Sequence, residues 1–167
     1  SSFVLLIPLI GSITKTERTS ISTGCCKEYL SMKEGYVLVN ELSIPSDFNS
    51  IHKVEALIDE VCEKLEVKED YYGNVLIAVT EAVNNAIIHG NKMKSELMVD
   101  VHVGDKDFCF SVKDNGEGFD YKDLPDPTAP ENIEKENGRG IYLMRSLAEA
   151  VEFNDAGRRV NIYFSKK

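Results

Sequence analysis

The stretch TEAVNNAIIHG, Thr80 to Gly90, sets a glutamate, an asparagine and a histidine four residues apart, at positions 81, 85 and 89, in a segment that otherwise reads as packed helix. At 100° per residue, Val75, Leu76, Val79, Val83, Ala86 and Ile87 fill one broad arc of a helix expected from about Glu69 or Asp70 to His89, with Gly90 and Asn91 as its C-cap. Glu81, Asn85 and His89 lie opposite, in an arc that also holds Ile77, Ala78 and Ile88. A solvated stripe is the common reading of a bare ExxxN pattern. A carboxylate and an amide set among apolar groups are costly if unpaired, however, and a metal, a ligand or a hydrogen-bonded network resolves that cost.

Downstream of this helix the period changes from helical to alternating. Leu97, Val99, Val101 and Val103 share one face of a strand, and Phe108, Phe110 and Val112 share one face of the next, with the turn at Gly104 to Lys106. Asp100, His102, Ser111 and Lys113 fall on the other faces of this hairpin. Upstream, Leu38, Leu42 and Ile44 share the parity of a half-buried strand that Asn40 interrupts. Ser46 or Asp47 then caps a helix from about Ser50 to Leu65, whose Ile51, Val54, Leu57, Ile58, Val61 and Leu65 recur at helical spacing. Residues Asp120 to Asn137 carry Pro125, Pro127 and Pro130, many carboxylates and no hydrophobic period, and read as a long functional loop. A third helix follows Gly140, and VEFND and RVNIYFS close the chain as strands. These elements predict an α+β two-layer sandwich: a mainly antiparallel mixed sheet with helices on one face.

The 167 residues suit one domain with a sizeable core. A net charge of −9 argues against a broad nucleic-acid surface, which needs a basic patch to displace counterions. The cysteines at 25, 26, 62 and 109 form no CxxC pair and point to reduced thiols in a cytoplasmic setting. Phe3 to Ile10, interrupted by Pro8, is too short to cross a bilayer and lacks a basic flank. Residues 1–31 read as an N-terminal extension of unassigned role, ahead of a domain over 32–167.

Two further stretches carry candidate chemistry. In VKDNGEGF, Asp114 continues the parity of Phe108, Phe110 and Val112, so its carboxylate points to the buried side and requires a donor; the exocyclic amine of adenine is one such group. Gly116 and Gly118 permit a sharp turn and close approach to a flat ring. In NGRGIYLM, Gly138 and Gly140 flank Arg139 just before a helix, where free backbone amides attract phosphate. Neither stretch fits a Walker P-loop or a GxGxxG turn, and each alone is weak.

Their order is more specific: ExxxN on a helix, a hairpin, DxGxG, a lid-like loop, then GxG before a helix. In this the sequence resembles the GHKL ATP-binding superfamily, with the Bergerat fold, and within it the bacterial anti-sigma-factor serine/threonine-protein kinases. EAVNNAIIHGN, DNGEGFD, DPTAPEN and GRGIYLMRSLAEAVEFN carry the closer likeness, which extends from about Tyr36 to the C-terminus. The resemblance implies that Asn85 binds Mg²⁺ bridging the ATP phosphates, that Asp114 holds the adenine amine, and that Gly116 and Gly118 shape the adenine pocket. It implies Glu81 as general base toward a protein serine or threonine, and Gly138, Arg139 and Gly140 along the phosphates. The loop 120–137 becomes the ATP lid, and His89 supports the site or caps its helix. Mg²⁺ with Arg139, and Lys92 or Lys94, would offset the triphosphate charge. Implied partners are a sigma factor and a small antagonist protein, with a homodimer as the assembly and no direct nucleic-acid or membrane contact. The alternative is a nucleotide-gated protein-binding regulator with little or no kinase activity. One departure stands out: Arg158 follows Gly157 where many relatives carry threonine.

Overall fold

The computed structural model describes residues 34–90, 96–118 and 139–166. The extension 1–31, Lys92 and Lys94, the loop 120–137 and Gly138 lie outside the described residues.

Among the described residues, alternation and helical spacing in the sequence translate into five strands and three α-helices. Strand β1 (Val37–Pro45) leads through a short 3₁₀ turn into helix α1 (Ile51–Lys64), and α2 (Glu69–Asn85) follows. The hairpin β2 (Glu96–Val103) and β3 (Asp107–Asp114) precedes α3 (Arg139–Leu147), β4 (Ala150–Asn154) and β5 (Arg159–Ser165). Asp47 caps the 3₁₀ turn, its carboxylate accepting the Asn49 amide at 3.0 Å. Glu69 and Asp70 open α2, where negative charge complements the helix dipole.

The strands form one sheet in the order β1-β2-β3-β5-β4, with every pairing antiparallel. One sheet face is apolar: Leu97, Val99 and Val101 of β2, Phe108, Phe110 and Val112 of β3, and Val160, Ile162 and Phe164 of β5 are buried. Val54, Ile58 and Val61 of α1 and Val75, Val79 and Val83 of α2 pack into the same core. Each large side chain so buried contributes about 1.5–3 kcal/mol. This face decides the site, because Val112 and Asp114 continue its parity to the end of β3.

Two local features depart from the sequence reading. Leu38 lies opposite His102, but Asn40 lies opposite Val101, so Val39 is the extra residue of a β-bulge. The bulge inverts the alternation, and Leu38 faces away from Leu42 and Ile44 rather than sharing their side. Helix α2 also stops being α-helical at Asn85 and continues as a π turn, Ala86–Gly90. The wider turn keeps Ile87 at 0% exposure while Ile88 reaches 51%.

The opposite sheet face is polar but closed, with His102, Ser111, Asn161 and Tyr163 buried. The Tyr163 hydroxyl donates to Glu152 at 3.0 Å, and its ring meets Tyr36 edge-on at 5.8 Å. Cys62 and Cys109 are buried, and burial pushes the Cys62 thiol up to about 11. Among the described residues no helix is long and apolar enough to cross a membrane.

Candidate functional site

Helix α2, the ends of β3 and β5, α3 and β4 surround one cavity of about 260 Å³, counted with its open mouth. Ala82, Asn85 and Ala86 form the α2 wall, and Val112 and Asp114 come from β3. Met144, Phe153, Gly157 and Val160 complete it.

Among the described residues of this lining, Asp114 is the charged one, at 3% exposure. Its carboxylate accepts the Gly116 amide at 2.8 Å, and its own amide donates to the Arg158 carbonyl at 2.9 Å. Burial pushes its carboxyl above the ordinary value, against the opposing pull of the Gly116 amide and the Arg158 charge; nearby Asp155 adds to the rise. A carboxylate has about four acceptor sites. One local amide leaves it able to accept from a ligand.

The loop after Asp114 turns at Gly118, where φ is +74°. A β-carbon there would meet the Ala156 carbonyl oxygen at 2.3 Å, so the loop lies directly on the turn between β4 and β5. Glycine is required at this position by both conformation and space.

Across the cavity, the first turn of α3 presses against α2. A β-carbon on Gly140 would stand 2.8 Å from Glu81 Oε2, 3.1 Å from Asn85 Nδ2 and 3.4 Å from Asn85 Oδ1. Glu81, Asn85 and Gly140 thus form one cluster, Asp114, Gly116 and Gly118 another, and the cavity joins them through Asn85 and Asp114. Arg139 is exposed at the start of α3, and His89 is half-buried in the π turn.

The sequence reading did not pick out Met144, Phe153 or Gly157 as cavity residues. Gly157, just before the last strand, was the available signal, since φ there is +83°. The donor set fits a magnesium nucleotide in one respect. Among the described residues no three His, Cys, Asp or Glu gather as a metal cage. Mg²⁺ characteristically takes one or two carboxylates with phosphate oxygens and water, and beside Gly140 the oxygens on α2 are the Glu81 carboxylate and the Asn85 amide.

Comparison with known proteins adds an independent line. The family model described as the histidine kinase-like ATPase domain matches residues 44–164. The serine-protein kinase RsbW of Staphylococcus epidermidis is 29% identical over 120 residues, which are 66% of this chain and 76% of that protein. The Staphylococcus aureus protein of the same name is 25% identical over 131 residues, covering 73% of this chain and 80% of its own. That of Bacillus cereus is 26% identical over 128 residues, covering 72% and 80%. Among solved structures, the RsbU and RsbW domains of a Mycobacterium tuberculosis protein align with a TM-score of 0.51 over 76% of this chain, at 16% identity. That likeness is one of fold, and the chain spans about a third of that structure's length, 32%.

Proposed function

The chain belongs to the histidine kinase-like ATPase family and carries the Bergerat fold of the GHKL superfamily, and we propose that it is an ATP-dependent serine/threonine-protein kinase and anti-sigma factor. It phosphorylates a small antagonist protein and sequesters a sigma factor. The observation that carries the reading is the seating of Gly140 against both Glu81 and Asn85 at a cavity that ends on buried Asp114. Phosphoryl transfer demands positioning and charge neutralisation more than covalent help from the protein.

Each residue then has a part. Asp114 accepts the adenine amine, and Gly116 and Gly118 let the loop approach the ring. Asn85 holds Mg²⁺, which when bound neutralises phosphate charge. Gly138, Arg139 and Gly140 line the phosphates. Glu81 orients the acceptor hydroxyl and takes its proton. The name serine-protein kinase borne by the relatives supports the reading. The net charge of −9 supports protein partners over nucleic acid. A homodimer in the cytoplasm and a domain over 32–167 with residues 1–31 appended belong to the same proposal.

The test is incubation with radiolabelled ATP, Mg²⁺ and the small antagonist-like protein encoded nearest to it, alongside the Glu81→Gln variant. Acid-stable label transferred by the wild type and lost in the variant is the expected result. ATP binding without transfer would instead favour the nucleotide-gated regulator.

A further inference from the structure

Around helix α2 the residues change character in one continuous sweep. Ala82 and Ala86 are buried where they wall the cavity, and Asn85 stands half-buried at its edge. Successive residues four apart step back by about 40° around a helix. Glu81 therefore follows Asn85, and Ile77 follows Glu81, each step further from the cavity. Ile77 is 45% exposed, and Ile88, at 51%, stands on the same side of α2. Gly73 continues the line, and a β-carbon added there would meet nothing within 4 Å. Glycine inside a helix is destabilising relative to alanine. The packing of this chain supplies no reason for it, whereas close approach by another chain does. Glu81 thus lies between the cavity on one side and an exposed ridge with a notch at Gly73 on the other, while Gly140 of α3 closes over it.

Charge and spacing restrict what can lie on this ridge. From Glu69 to Asn85 the helix carries three carboxylates, at 69, 70 and 81, and no lysine or arginine. Asp70 is exposed two turns before Ile77, on the same side. A segment laid there is favoured by a cation opposite Asp70 and opposed by carboxylates of its own. At 1.5 Å rise per residue, Ile77 stands about 6 Å along the axis from Glu81, and Ile88 about 10 Å beyond it in the other direction. A hydroxyl brought to Glu81 is therefore flanked on both sides by apolar surface. A nucleotide in the cavity reaches Glu81 from the Asn85 side, which leaves the Ile77 side to the acceptor.

We propose that the ridge formed by Gly73, Ile77 and Ile88 is the docking surface for the protein that supplies the acceptor hydroxyl, which lays along it an apolar segment carrying a lysine or arginine toward Asp70. This rests on the reading of the chain as a protein kinase with Glu81 as its base. In the step so arranged, the hydroxyl oxygen bonds to the γ-phosphorus as the bond to the bridging oxygen breaks. ADP leaves with that electron pair, and the hydroxyl proton passes to Glu81. Ile77 and Ile88 touch the acceptor protein and not the nucleotide, so they set which protein is phosphorylated and leave ATP binding alone.

Steady-state label transfer by the full chain, with the small antagonist-like protein encoded nearest to it and ATP varied in turn, tests the proposal. Ile77→Ser and Ile88→Ser each raise the KM for the acceptor protein about tenfold, as loss of an anchoring interface side chain does. The kcat, the KM for ATP and the ADP affinity by calorimetry stay at wild-type values. Gly73→Leu, a better helix former, raises the same KM by filling the notch, and it serves should a serine variant fold poorly. Asp70→Lys raises it as well, by an amount that fades with added salt. Val37→Ser, at an exposed apolar residue of β1, leaves every constant unchanged. An acceptor KM unmoved in the Ile77, Ile88 and Gly73 variants, or one that rises only together with lost ADP affinity, overturns the docking surface. A KM that falls in Asp70→Lys overturns the cationic partner. The two levels separate cleanly: no transfer by the wild type removes the kinase reading, whereas transfer indifferent to the ridge variants removes only the ridge.

Discussion

The backbone of Gly140 lies against Glu81 so closely that a single added methyl carbon would stand 2.8 Å from the carboxylate oxygen Oε2. That oxygen is the far end of a flexible side chain, so the protein can yield by turning Glu81 aside. Gly140→Ala should therefore leave the melting temperature nearly unchanged while displacing the proposed base. Misplacement by about 1 Å costs up to roughly 100-fold in rate. A loss of 10-fold or more in phosphotransfer, with the fold intact by circular dichroism, is the expected outcome. Full activity in the alanine variant would remove Glu81 from the reacting centre.

Asn85 presents its amide both to Gly140 and to the cavity. If it is the protein ligand of Mg²⁺, Asn85→Ala should make nucleotide affinity indifferent to the metal. Titrations with ADP in Mg²⁺ and in EDTA read this directly. The wild type should bind more tightly with the metal and the variant equally in both. A variant that keeps the full metal effect would contradict the role.

Gly118→Ala tests the opposite kind of close approach. Here the obstacle at 2.3 Å is the Ala156 carbonyl oxygen, which is backbone, and φ is +74°. Strain at such a residue is about 1–3 kcal/mol before any clash is counted. The variant should unfold at clearly lower denaturant concentration and bind nucleotide weakly. Stability within about 0.5 kcal/mol of wild type would mean that the loop and the 155–157 turn separate freely.

The elements of the fold were legible where one physical pattern ran uninterrupted. From Leu97 to Val103 and from Phe108 to Val112 every second residue is a large apolar one, and the hairpin with its inward Asp114 follows. The pattern failed where the backbone inserts a residue. The bulge at Val39 reverses Leu38, and the π turn replaces the α-helical turn expected after Asn85 while leaving Ile87 inside and Ile88 outside as the helical spacing expects; neither insertion changes composition, so periodicity alone cannot reveal it. The candidate site was legible as a list of residues on separate elements. Its assembly was not, because the meeting of Gly140 with Glu81, and of Arg158 with Asp114, joins residues 59 and 44 positions apart. Such contacts depend on how α3 and β5 pack, which no local pattern encodes.

Asp114 offers a test of stability as well as binding. Burial holds its carboxyl above the ordinary value in the folded state. A carboxyl shifted in this direction binds its proton more tightly when folded than when unfolded. Ionising it therefore costs the fold stability at pH above the raised value, and the cost disappears on acidification below the ordinary carboxylate range. Asp114→Asn removes the ionisation while keeping an oxygen able to accept the Gly116 amide. The ligand-free variant should be more stable than wild type at pH 7, by about 1 kcal/mol as is common where function and stability compete. The difference should shrink as the pH falls, and ADP affinity should be lost throughout. Thermal melts of both proteins between pH 3 and pH 8, without nucleotide, measure it. A variant less stable than wild type at pH 7 would show that the ionised carboxylate is compensated in the folded protein, and that its buried position is structural in origin.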